Sequence, residues 1–187
     1  MENMPTNILI MKVGPHSNMS LAEIIQSKQE EELVHGVHYW GYSGVFCQPK
    51  PTQFFCQKCL SDRGVPPSLV LLETKSRYNS TIGEIKSYSR NGTEYYNFKE
   101  PVQLQGAQFS FVCKKIRIYN NFNPNYYKVV GGKNDGKPLL EHLRYRINKS
   151  FATIDDHKSI KLSNDNTNNY SVIIADLVEP FALWLKE

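Results

Sequence analysis

Long apolar runs are missing from this sequence. The longest, around residues 70–72 and 172–175, fall far short of the ~20 residues a membrane-spanning helix needs. The amino-terminal stretch also has no basic leader ahead of an apolar segment, so a cytoplasmic protein without a membrane partner is expected. Cysteine is scarce. The four residues provide one C-x-x-C pair, Cys56 and Cys59, with Cys47 upstream and no second pair. A zinc site needs four ligands, and the remainder would have to come from Cys113, His35 or His38, so neither metal nor cofactor is expected and the cysteines should be reduced thiols. One-sided charge is lacking too: 22 basic against 18 acidic residues leave only +4, spread along the chain. Nucleic acid is therefore not the favoured partner, and any anion site must be local. No internal repeat is present, and nothing in the sequence sets an oligomeric state.

Aromatic residues, by contrast, are plentiful, with 11 Tyr and 9 Phe in 187 residues, which suits strands and ring-lined pockets. The expected fold is α+β: one globular domain over residues 1–187 with a mixed or antiparallel sheet. It should open with a β-α-β unit, carry a central β-hairpin, and pack one or two long helices on the sheet. Residues 7–13 form the first strand, and Ser20 with Glu23 makes a capping box for a helix stopped by Gly36. Residues 37–42 form the next strand, 52–60 a short helix after a proline-bearing loop, and 68–73 a further strand. Asn91-Gly92 between residues 84–89 and 93–98 marks the hairpin. Residues 107–119 alternate and then change phase near Lys114-Lys115, which predicts a central bulged strand. A short strand over 126–130, a helix over 138–150, a polar loop over 155–169 and a strand over 171–179 complete the chain, with a short final segment at 181–186. The expected core comprises Ile8, Ile10, Leu69, Leu71, Phe109, Phe111, Leu143, Ile147, Val172 and Ile174.

The most specific motif is Gly131-Gly132-Lys133-Asn134-Asp135-Gly136-Lys137, which fits G-x-x-x-x-G-K between a strand and a helix. Glycines let backbone N–H groups turn toward an anion, and a helix start adds partial positive charge. Pro138 follows where a triphosphatase needs a hydroxyl for Mg²⁺, which argues against that enzyme and leaves phosphate affinity. On the helix expected next, His142, Arg146 and Lys149 would share one face. A plain solvated basic face accounts for the same spacing.

A second constellation joins Lys12 and His16, around the strand end Val13-Gly14-Pro15, to Trp40 and Tyr42. Loops that leave such strands ahead of a capped helix commonly touch ligands in α/β units. An aromatic there can stack a ring and Lys12 can pair with a phosphate, although core aromatics would look the same. Lys12-Val-Gly-Pro-His16, Tyr39-Trp-Gly-Tyr-Ser-Gly44 and Cys47-Gln-Pro49 resemble the amino-terminal pattern of a group of small bacterial and phage proteins. The resemblance implies a prokaryotic or phage setting and no particular activity or catalytic residue.

The expected function is thus binding of a small phosphate-bearing, nucleotide-like ligand, with sequestration of a signalling nucleotide as one use. The alternatives are an enzyme acting on such a nucleotide in the same pocket, a single-stranded nucleic-acid binder built on Tyr88, Tyr95, Tyr96 and residues 114–117, and a protein-interaction module. Cys47 with His16 or His38 is the one nucleophile–base pairing to consider, and no local signature supports it.

Overall fold

A computed structural model describes residues 3–14, 19–74, 82–105, 107–144, 147–156 and 169–187. The chain is α+β, built on one mixed sheet. Strand β1 (Asn7–Val13) leads to α1 (Leu21–His35), β2 (His38–Tyr42), α2 (Pro49–Arg63) and β3 (Ser68–Glu73). Then come β4 (Ile82–Ser89), β5 (Tyr96–Gln105), β6 (Phe109–Phe122), β7 (Tyr127–Val129), α3 (Leu139–Leu143), β8 (Lys149–Ile154) and β9 (Tyr170–Lys186). The order across the sheet is β2-β6-β9-β3-β1-β8-β7, and the β4–β5 hairpin joins it at the far end of β9.

The opening β-α-β differs from a simple unit. β1 pairs in parallel with β3, whereas β2 pairs with β6 at the other margin of the sheet. The parallel crossover therefore runs from β1 to β3 and takes in two helices. Local signals in this stretch act as their chemistry requires. Ser20 Oγ accepts from the Glu23 N–H while Glu23 Oε2 accepts from the Ser20 N–H, which satisfies two orphan donors at the start of α1. Gly36 ends α1 at φ 75°, a left-handed conformation that glycine adopts without a Cβ clash. α2 is longer than the expected 52–60, because Pro49 and Pro51 lie in its first turn, where a missing N–H removes no helical bond.

The long strands carry the irregularity foreseen near Lys114-Lys115. Lys115 has φ 54° and the β6–β9 register shifts between Lys114 and Arg117. The expected strand 171–179 and segment 181–186 are a single strand, β9, whose register against β6 slips around Pro180. The hairpin is present, but its turn is broader than Asn91-Gly92. Ser89 Oγ accepts from the N–H groups of Asn91 and Gly92, and Asn91 Oδ1 accepts from those of Thr93 and Glu94.

The clearest departure concerns residues 138–150. Among the described residues of this stretch only Leu139–Leu143 are helical, and Lys149–Ile154 form β8, antiparallel to β1 with Met11 opposite Lys149 and Ile8 opposite Ala152. The edge of β1 needed backbone partners, and completing that ladder outweighs the helical spacing of the apolar residues. Residues 157–168, most of the expected polar loop, lie outside the described residues.

Side chains alternate across the sheet into two cores. Leu9, Trp40, Leu69, Leu71, Phe111 and Ile173 meet Ile24 of α1 and Phe55 of α2 on one face. Ile8, Ile10, Val70, Val172 and Ile174 meet Leu139 and Leu143 of α3 on the other. A third cluster lies beneath the hairpin, around Ile85, Val102 and Leu183. Of the expected core, Phe109 and Ile147 are only half-buried.

Candidate functional site

The Gly131–Lys137 segment is a turn folded onto its own groups. Asp135 Oδ1 accepts from the Gly131 N–H at 2.7 Å, the Gly136 N–H donates to the Val129 carbonyl at 2.8 Å, and the Lys137 N–H donates to Asn134 at 3.0 Å. Gly131, Gly132 and Gly136 all have positive φ, which explains the glycines through the turn alone. The carboxylate of Asp135 already sits where an anion would meet the Gly131 N–H. Lys133 and Lys137 are exposed, and α3, at five residues, offers little helix dipole.

The expected basic face is not assembled on one helix. Lys149 lies on β8, buried, with Nζ donating to the Ser43 carbonyl at 2.8 Å and standing 5.6 Å from the centre of the Tyr42 ring. Burial lowers its pKa. Lys12 is on the opposite face, where its Nζ donates to the Leu143 carbonyl at 2.6 Å and so holds the end of α3. His142 is half-buried, and its pKa is lowered by burial and then by the Lys137 and Lys12 ammonium groups. Lys12, Lys137 and His142 therefore form one basic group, separated by the sheet from Trp40, Tyr42 and Lys149. His16 and Arg146 lie outside the described residues.

Tyr42 is a core residue: its ring stacks on Phe111 at 3.9 Å and its hydroxyl donates to the Cys47 carbonyl. Burial pushes the Cys47 thiol up to about 12, so it is protonated near neutrality and lacks the thiolate a nucleophile needs. Burial likewise raises Cys56, Cys59 and Cys113. Among the described residues no group of three or more His, Cys, Asp or Glu is arranged to hold a metal ion. Of the aromatics considered for nucleic acid, Tyr88 packs against Tyr96 and Phe98 and the Tyr95 ring lies under the Lys186 ammonium, while Arg117 pairs with Asp176 at 3.2 Å. No helix among the described residues is long and apolar enough to cross a membrane.

Space for a ligand occurs at the carboxyl ends of the parallel pair β1 and β3. A cavity of about 180 Å³ lies there, walled by Val13, Met19, Ile24, Trp40 and Leu71, with Ser20, Glu73 and Ser171 supplying polar groups. It is slightly larger than the ~150 Å³ cavities that accept benzene and smaller than the ~300–1,000 Å³ pockets of drug-sized ligands. Val13 and Glu73 are direct neighbours across the β1–β3 ladder, and the capped start of α1 closes the side. Val13, Gly14 and Trp40 belong to the constellation read from the sequence. Ser20 was read only as the cap of α1, Glu73 and Ser171 were not singled out, and the strand order brings those two to it.

Sequence reasoning also missed a polar cluster at the far end of α1. There α1 turns two carboxylates, Glu31 and Glu32, inward. Glu31 accepts from the buried Lys28 and from the Tyr39 N–H, and Glu32 contacts His38 Nδ1 and accepts from the Lys115 N–H. Burial lowers the His38 pKa despite Glu32. These groups join α1 to β2 and β6 and act as structural ties.

Neither a protein-family model, nor a curated protein, nor a solved structure matches the chain.

Proposed function

We propose that this protein binds a small ring-bearing ligand of nucleoside or nucleotide type, with the ring in the cavity at the ends of β1 and β3. The observation that carries this reading is the meeting of Trp40, the capped start of α1 and two parallel strand ends around a ring-sized space. Ligands of α/β sheets commonly lie outside the carboxyl ends of parallel strands. In the prokaryotic or phage setting implied by the resemblance, sequestration of a signalling nucleotide would be its use. The test is the change in indole fluorescence on titration with nucleosides and their monophosphates. A saturable change that is lost in Trp40→Phe supports the reading, and an unchanged response in that variant contradicts it.

The basic group of Lys12, Lys137 and His142 lies on the other face of the sheet from Trp40 and so gives a ring held in the cavity no phosphate partner. The cavity wall contains no basic residue among those described, so nucleoside and nucleotide should bind alike if the ring alone is recognised. A nucleotide that binds more tightly than its nucleoside, with the difference lost in Lys137→Ala, would contradict that separation.

A further inference from the structure

The charge and hydrogen-bonding capacity of the cavity are lopsided. Glu73, an exposed residue, is its one charged group, and its carboxylate makes no hydrogen bond or ion pair among the described residues. A carboxylate only accepts hydrogen bonds, through two oxygens side by side. Ser171 Oγ donates to Asn120 Oδ1 and is thus engaged. Ser20 Oγ accepts from the Glu23 N–H, which leaves its own hydrogen available to donate. The remaining wall, from Val13 through Ile24 to Leu71 and Trp40, is apolar. The cavity therefore presents a paired acceptor, one hydroxyl donor and a wall suited to a flat ring.

We infer that the ligand's ring carries a 2-amino-4-oxopyrimidine edge, the adjoining ring N–H, amino group and carbonyl common to guanine and to pterins. The N–H and amino donors face Glu73 in a bidentate pair, and the carbonyl faces the Ser20 hydroxyl. Adenine has a ring acceptor at the corresponding place, which a carboxylate repels, and hypoxanthine lacks the amino group. Glu73 and Ser20 are exposed, so water replaces a missing partner and the discrimination is that of a solvent-accessible hydrogen bond. This inference rests on the cavity reading above and adds the identity of the ring edge.

The experiment is isothermal titration of the full chain with guanosine, inosine, adenosine and a simple pterin, on wild type, Glu73→Gln and Trp40→Phe. Guanosine or the pterin should bind, inosine about three- to tenfold more weakly and adenosine more weakly still, as for loss of a hydrogen bond to an exposed carboxylate. Glu73→Gln should weaken the preferred compound by a similar factor with an unchanged melting temperature, since Glu73 holds nothing else among the described residues. The tighter of guanosine and pterin identifies the source of the edge. Equal binding of guanosine, inosine and adenosine, or indifference to Glu73→Gln, overturns the inference while the cavity reading stands. Absence of binding by all four compounds overturns both.

Discussion

Two places on this molecule lie beside strand ends and invite comparison: the Gly131–Lys137 turn and the cavity beyond Val13 and Glu73. The first has the more suggestive sequence, a glycine-rich run with two lysines. Yet the N–H groups of Gly131, Gly136 and Lys137 are consumed by Asp135, Val129 and Asn134. The second has an unremarkable sequence, but its groups come from β1, α1, β2, β3 and β9 and line a cavity whose one carboxylate makes no hydrogen bond or ion pair among the described residues. Glycines that permit positive φ serve a tight turn as well as an anion nest, and the destination of the N–H groups decides between them.

Substitutions should separate the two places, and the largest effect is expected at the cavity. Trp40→Ala removes a buried indole shared by the core and the cavity wall, and should destabilise the fold by about 3–5 kcal/mol while abolishing the ligand response. Chemical denaturation followed by circular dichroism measures the first effect and calorimetry the second. A stable Trp40→Ala variant that still binds would remove the cavity from consideration.

The turn should be sensitive in stability only. Asp135→Ala leaves the Gly131 N–H to solvent and should cost about 0.5–1 kcal/mol, reduced from the usual charged hydrogen bond by exposure. Ligand affinity should not change. A loss of affinity in this variant without a matching loss of stability would return the site to the turn.

The smallest effect concerns His142. Its pKa is lowered from the ordinary 6.5, with burial first and the two lysines next, so the folded state resists its protonation. The unfolded chain then binds the extra proton first, and this group's contribution to stability falls as pH drops below about 6.5. Lys137→Ala should raise the His142 titration midpoint, as followed by proton NMR of the imidazole, and lessen that acid sensitivity. An unchanged midpoint would mean that Lys137 does not sit close enough to matter, and the basic group would dissolve.

Much of the architecture is legible because local chemistry and tertiary demand agree. Residues 7–13 and 68–73 are apolar runs bounded by turn residues, and they are the parallel pair at the centre of the sheet. Ser20 with Glu23, and Gly36, fix both ends of α1. The expected helix over 138–150 failed because Leu139, Leu143 and Ile147 satisfy a helical period while Lys149–Ile154 satisfy an alternating one, and only the unpaired edge of β1 decides. The misplacement of Lys149 follows from that single error. At the cavity, Gly14 and Trp40 were accessible from a strand end and a nearby aromatic. Glu73 and Ser171 were not, since a residue at the end of β3 and another at the start of β9 become neighbours of α1 only through a nine-stranded order that no local pattern encodes.

The comparison between turn and cavity is tested most directly by the backbone amide spectrum of labelled protein titrated with guanosine and guanosine monophosphate. The account predicts progressive shifts at Gly14, Met19, Ser20, Glu73, Ser171 and the Trp40 indole N–H, with Gly131, Gly132 and Gly136 unmoved by the nucleoside. Shifts concentrated at those three glycines, with the Trp40 indole unmoved, would contradict it.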